Sequence, residues 1–317
     1  MLLFQLIPFF LAARITNNVE NWIYGAEYNF SGYLKMITSL ESDKGVNHGT
    51  IVNLSLICRP KEPDFLRCQL ENTIISRLKP QGFDNHQFKN NDFNNYRDIN
   101  LINVPFEINF NENGINYYTF DKSDNKNLPM FAVNMARLVG NQLNFGNDFS
   151  DEMRRKFRGF ENSTVGECQV DFDIKRQPFD HSDELFNDFS LMPIDKLGES
   201  NNEIISISKN RNLKNCLKYG EPFFGTRYTL GLILRDVQTK LKTSKSKITT
   251  SIHEFTSQTI NENDIYGEDK KLLGKVTDYM ELNLIKIVPA KTKLLDFKEP
   301  VKFGVLLEKL ETGESQY

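Results

Sequence analysis

The sequence predicts a mostly β protein in which long antiparallel strands form a barrel, or a strongly curled sheet, wrapped around one central α-helix. Three observations carry this. The stretch WIYGAEYNFSGYLKMITSL, Trp22 to Leu40, places apolar residues on its even positions almost without interruption, which is the period of a half-buried strand. It runs two to three times the ordinary strand length of about 5–6 residues. The same alternation returns between residues 227 and 288, while PMFAVNMARLVGNQLNF, near residues 129–145, is apolar nearly all round. A helix of that kind is buried on most sides. Aromatic residues at 12%, including 25 phenylalanines, suit β structure.

The chain has 317 residues and opens MLLFQLIPFFLAARIT, an apolar run from Leu2 to Ala13 that stops at Arg14. The run is shorter than the roughly 20 residues of a membrane span. It reads as a signal peptide over residues 1–13, cut after Ala13 with Leu11 at minus three, although no basic residue precedes the apolar core. A buried amino-terminal strand or helix is the competing reading. The signal predicts a secreted, extracellular protein. No later segment is apolar enough to be a transmembrane segment, and a formal net charge of -3 argues against nucleic acid as a partner.

Four cysteines in a secreted chain allow three pairings. In TIVNLSLICRPKEPDFLRCQLENTIISRL the apolar face runs Val52, Leu54, Leu56, Cys58 and resumes at Cys68, Leu70, Ile74 and Leu78. A hairpin turning at Pro63 sets Cys58 opposite Cys68, Leu56 opposite Leu70 and Val52 opposite Ile74. Directly opposed residues have Cβ atoms about 4.5–5.5 Å apart, so a Cys58–Cys68 disulfide is expected. Cys168 and Cys216 are left as the second pair, Cys168 heading another alternating strand, Val170, Phe172, Ile174. Closing that loop stabilises by about 4 kcal/mol on the chain-entropy estimate, before native strain is subtracted. The acidic, weakly patterned segment between them, KRQPFDHSDELFNDFSLMPIDKLGESNN, reads as a surface loop.

Further along, LINVPFEINFNENGINYYTF is a hairpin with Phe106, Ile108 and Phe110 on one face and Asn113-Gly114 at its turn. Pro129 opens the helix, a favoured first position. Residues 297–317 form a carboxy-terminal tail with one short apolar patch, and GFDNHQFKNNDFNNYRDIN is an Asn/Asp-rich loop.

In order, the Trp-Xaa-Xaa-Gly-Xaa-Glu-Tyr opening at Trp22, ITSLESDKGVNHGTIVNLSL, PFEINFNENGI, the helix PMFAVNMARLVGNQL, GECQVDFDI, and Asn215-Cys216 followed by FFG resemble the N-terminal domain of the vitellogenins. The insect type is nearest, within the large lipid transfer protein family. The resemblance implies a large antiparallel β-barrel over residues 14–296 with the helix filling its bore, and a disulfide at Cys168 and Cys216. It implies a lipid carrier and yolk precursor, non-enzymatic, with lipid held only together with the helical and sheet domains that family members carry downstream. This chain stops at residue 317 without them. A piece of a vitellogenin and a stand-alone extracellular binding module without a lipid cavity, acting in defence or signalling, are the two readings that follow.

No catalytic constellation is present: His48, His86, His181 and His253 stand far apart and no cysteine–histidine spacing suits zinc. No metal or other cofactor is expected. Asp171 and Asp173 share a polar strand face, but calcium sites usually need six to eight oxygens. Three glycosylation sequons occur, at Asn29, Asn53 and Asn162; Asn162, expected in a loop before Gly166, is the best placed. Two basic clusters remain. EMRRKFRGF, with Arg154, Arg155, Lys156 and Arg158, reads as a loop with a weak processing signal. KLKTSKSK carries Lys240, Lys242, Lys245 and Lys247 on a strand, and Lys240 and Lys242, two apart, share a face. The resemblance implies a yolk receptor of the lipoprotein-receptor type, with acidic repeats, as a partner, and lysines on a rigid strand are the chemistry to meet it. A solvated edge, where lysines discourage strand aggregation, is the plain alternative.

Overall fold

The computed structural model describes residues 2–15, 19–41, 47–78, 93–98, 103–123, 128–151, 153, 155–179, 189–198, 202–220 and 238–308. His86, His181, Arg154, the Asn/Asp-rich stretch up to residue 92 and segment 221–237, which holds FFG and the whole of RYTLGLILRDV, lie outside them.

The amino-terminal run supplies β1 (Leu2–Ile7) and β2 (Leu11–Ile15). A meander of β3 (Ala26–Leu40), β4 (Asn47–Lys61) and β5 (Phe65–Leu78) follows, then β6 (Phe93–Asp98), β7 (Phe106–Asn111) and β8 (Gly114–Asp121). The helix α1 (Met130–Gly140) ends in a 3-10 turn, Asn141–Leu143, with Pro129 at its cap position. Beyond it run β9 (Lys156–Ser163), β10 (Gly166–Pro178), β11 (Phe189–Pro193), β12 (Glu203–Tyr219), β13 (Gln238–Thr250), β14 (Phe255–Tyr266), β15 (Leu272–Pro289) and β16 (Pro300–Phe303).

Thirteen of the strands form one sheet in the order β16-β8-β7-β5-β4-β3-β15-β14-β13-β12-β10-β9, with β6 beside β5. Eight of its strands have 12 to 18 residues, the tall sheet that the alternation requires. In β3, Ala26, Tyr28, Phe30, Leu34 and Met36 are buried on one face, as their even spacing dictates. Phe131, Val133, Met135, Ala136 and Val139 bury α1 on most of its circumference. Gly140 lies so close to β7 and β8 that a Cβ there would sit 2.7 Å from the Tyr118 hydroxyl.

The expected barrel does not close: among the described residues β16 and β9 are the end strands of an open sheet. Along Gly114 to Tyr117, the part of β8 that β16 leaves uncovered, the chain leaving the helix keeps β9 away, because Asn144 to Asn147 run between β8 and β9. The Asn144 side chain accepts from Ile115 N–H in β8 and donates to the Asn162 carbonyl in β9, while Asn147 donates to the Phe160 carbonyl. A β8–β9 ladder cannot form at strand spacing, about 4.7–4.9 Å, with a chain segment wedged in the seam. Gly114 permits the wedge, since a Cβ there would meet Asn144 Oδ1 at 2.1 Å.

A second sheet, β1-β2-β11, packs against the first. Its contacts include the Tyr28 hydroxyl donating to the Phe4 carbonyl and Phe10 stacked on Phe145 at 4.9 Å. Leu6, Ile7, Phe10 and Leu11 are fully buried, so residues 2–13 of the segment read as a signal peptide are here two packed strands and their turn. Part of the segment read as a surface loop is also structured: β11 pairs with β2, burying Phe189 and Leu191. The described part of the carboxy-terminal segment, up to Glu308, is tied down as well. Arg137, fully buried in α1, donates to the Gly304 carbonyl and pairs with Glu308 at 2.5 Å.

Candidate functional site

Cys58 faces Cys68 across the β4–β5 hairpin and is bonded to it. The register there follows the sequence expectation, with Leu56 opposite Leu70, but Val52 lies opposite Ile75 rather than Ile74. A bulge between Asn53 and Ser55 absorbs the shift, and Asn72 on the partner strand takes φ 49°. The β7–β8 turn is likewise displaced: Asn111 pairs with Gly114, so Glu112 and Asn113 form the tip. Cys168 is bonded to Cys216 across β10 and β12, where the register jumps from Asn212 to Cys216.

Of the sequons, Asn53 is exposed and Asn29 half-buried, on the face away from the helix. Asn162 is half-buried inside β9, not in a loop, with its carbonyl accepting from Asn144.

β12 alternates between two chemistries. Its inward residues Lys209 and Arg211 both pair with Glu161 of β9, at 2.7 and 2.8 Å, and the three side chains are 1, 2 and 0% exposed. Lys209 also donates to the Asn144 carbonyl. Burial pushes the Lys209 ammonium down from its ordinary value, with Glu161 pushing back up. Nothing in a linear reading marks this triad, because its members lie 48 and 50 residues apart and its lysine and arginine resemble solvated charges.

The outward residues of β12, Ser208 and Asn210, line a groove of about 670 Å³ on the opposite face of the sheet. Its walls bring the two basic clusters together: Lys156 and Arg158 from β9, Lys245 and Lys247 from β13, with Ile260 of β14 as an exposed apolar patch. Lys156 and Arg158 therefore lie on a strand, not in a loop. Their charges are engaged across the ladder, Arg158 with Asp171 at 2.6 Å and Lys156 with Asp173 at 3.5 Å. That arrangement also accounts for the two aspartates without a metal. Among the described residues no cluster of three or more His, Cys, Asp or Glu could hold one.

The four β13 lysines share this outer face. Sequence spacing alone joins Lys240 only to Lys242, because strict alternation turns Lys245 and Lys247 the other way. The structure inserts Lys242 as a bulge: Leu241 pairs with Asn263 and Thr243 with Glu262. An extra residue resets the parity, so Ser244, Ile248 and Thr250 turn inward while all four lysines stay exposed. β13 lies between β12 and β14, but β12 pairs with it only from Lys245 to Thr250, so Lys245 and Lys247 sit inside the sheet while Lys240 and Lys242 lie where β13 is laddered to β14 alone. Lys242 pairs with Asp264 at 3.0 Å, a hydrogen bond that raises its pKa. Lys245 and Lys247 have no carboxylate partner among the described residues, which leaves their charge available in the groove.

Comparison with known proteins places these features in a family. The family model for the vitellogenin N-terminal domain matches residues 22–268. Vitellogenin-2 of Periplaneta americana is 24% identical over 268 residues, covering 77% of this chain and 14% of that protein, so the chain spans about one seventh of its relative's length. A solved lipovitellin structure, described by its lipid–protein interactions, superposes with a TM-score of 0.61 at 14% identity, covering 92% of this chain and 28% of that one. The long curled sheet, its enclosed helix and the family match over residues 22–268 agree: the chain belongs to the vitellogenin N-terminal domain family.

Proposed function

We propose that this domain is the recognition module of a secreted, vitellogenin-type lipid carrier, and that the outer groove docks an acidic partner such as a yolk receptor of the lipoprotein-receptor type. The observation that supports the reading most is the bulge at Lys242, which keeps Lys245 and Lys247 on the groove face with no carboxylate engaged. Two cations on a rigid interior strand, beside an exposed Ile260, suit a carboxylate-rich repeat that also presents an apolar contact. Two disulfides favour an oxidising, extracellular setting. The domain itself does no chemistry in this reading. Lipid is carried only with further domains, since the inner face here is filled by α1 and the β1-β2-β11 sheet.

The test is the double variant K245E/K247E, measured by surface plasmon resonance against an acidic receptor repeat. Exposed positions usually change stability within about 0.5 kcal/mol, so the fold survives and binding falls tenfold or more. K240E/K242E has a smaller effect because Lys242 already serves Asp264. Binding weakens with salt, screened beyond a Debye length of about 8 Å at physiological ionic strength. Unchanged affinity in K245E/K247E refutes the groove as the docking surface.

A further inference from the structure

A small cavity under α1 collects oxygen atoms that nothing else satisfies. It holds about 30 Å³ and is lined by Asn141 of the 3-10 turn, Asn261 of β14, Asp278 of β15, Leu138, Met36 and Met280, among others. Asn141, Asn261 and Asp278 are each more than nine-tenths buried, and each has an Oδ1 atom with no hydrogen-bond partner. Asn263, two residues along the same face of β14, adds a fourth unpartnered Oδ1. Its amide donates to Asp278 Oδ2 at 3.4 Å, which fixes its orientation and leaves the carbonyl oxygen over. Asn261 and Asp278 oppose each other in the ladder, and Asn141 reaches them from the carboxy-terminal end of the helix.

Unsatisfied buried polar atoms are normally few and individually accounted for. Three around one cavity, every one an oxygen, with the Asn263 oxygen beside them but outside the lining, call for a species with only positive character to offer. A single water donates two hydrogen bonds and leaves one of the three oxygens unmet. A cation meets all of them at once. The electrostatics agree: the C-terminal end of a helix carries partial negative charge, Asp278 supplies a full one, and no lysine or arginine lines the cavity. Without a cation, burial raises the Asp278 carboxyl well above the ordinary value.

We infer that this cavity is a binding site for one hard cation held by amide and carboxylate oxygens. One carboxylate balances one positive charge, so the ion is monovalent, sodium in the first instance; a buried divalent ion here retains an uncompensated charge. The volume admits one ion and little else.

The experiment compares thermal unfolding of the full chain in sodium, potassium and calcium chloride with N-methylglucamine chloride at equal ionic strength, for the wild type, D278N and N141A. In the wild type the transition rises by several degrees in sodium and climbs with the logarithm of its concentration, as linkage requires for an ion that binds only the folded state. D278N is isosteric and loses the sodium response. N141A, which removes one neutral ligand, shifts the response to higher sodium. The readout is the difference between salts within each variant, so a change in basal stability does not confound it. Equal transitions in every salt, or a sodium response that persists in D278N, overturn the site. A response to calcium alone overturns the monovalent assignment.

Discussion

Replacing Glu161 by Gln tests the buried triad. Glu161 accepts from Lys209 at 2.7 Å and from Arg211 at 2.8 Å, and none of the three side chains reaches solvent to any useful degree. The amide keeps the shape and removes the charge, leaving an ammonium and a guanidinium buried side by side. Breaking a buried ion pair by removing one partner costs about 3–5 kcal/mol, which in a chain of this size lowers the transition temperature on the order of 10 °C. The pH profile identifies the cause. The folded-state pKa of Lys209 is already below its unfolded value, so the unfolded state binds more protons there and stability rises with pH through that interval. Removing Glu161 takes away the interaction holding the ammonium up. In the variant the gain therefore begins at lower pH and part of the loss is recovered in alkaline solution. Replacing all three residues by apolar ones of similar volume, E161L/K209M/R211M, restores stability to within about 1 kcal/mol of the wild type if charge is what matters. Urea unfolding from pH 6 to 10 reads all three chains. A loss below about 1 kcal/mol for E161Q, or one independent of pH, refutes the reasoning.

Two further predictions follow from the same region and from the amino terminus. Gly146→Ala places a side chain at φ 80°, with its Cβ 2.6 Å from Glu161 Oε2; backbone strain of this kind costs about 1–3 kcal/mol, and a transition temperature unchanged in calorimetry refutes the close approach. Deleting residues 1–13 removes Leu6, Ile7, Phe10 and Leu11, all fully buried, each worth about 1.5–3 kcal/mol of burial. The shortened chain is therefore expected to unfold at clearly lower urea, and equal stability makes the segment a leader only, with no part in the mature fold.

The sequence by itself determined which face of each long strand is buried, because a period of two is a local property and one covered face enforces it over 15 residues of β3. It determined α1, whose apolar residues leave no polar side for solvent. It set the Cys58–Cys68 register too, since a short hairpin allows little choice of pairing. Tertiary structure decided the rest. Beside the start of β8 the sheet stays open because Asn144 hydrogen-bonds to both β8 and β9, and contacts between residues 18 to 29 apart have no local signature. The β13 lysines share one face because of a bulge within a run of polar residues, TKLKTSKSK, where no apolar alternation exists to reveal a change of parity. The triad and the oxygen-lined cavity draw on strands distant in the chain. Whether Lys209 or Asp278 is a solvated charge or a buried one depends on what packs over it, and only the assembled sheet and helix settle that.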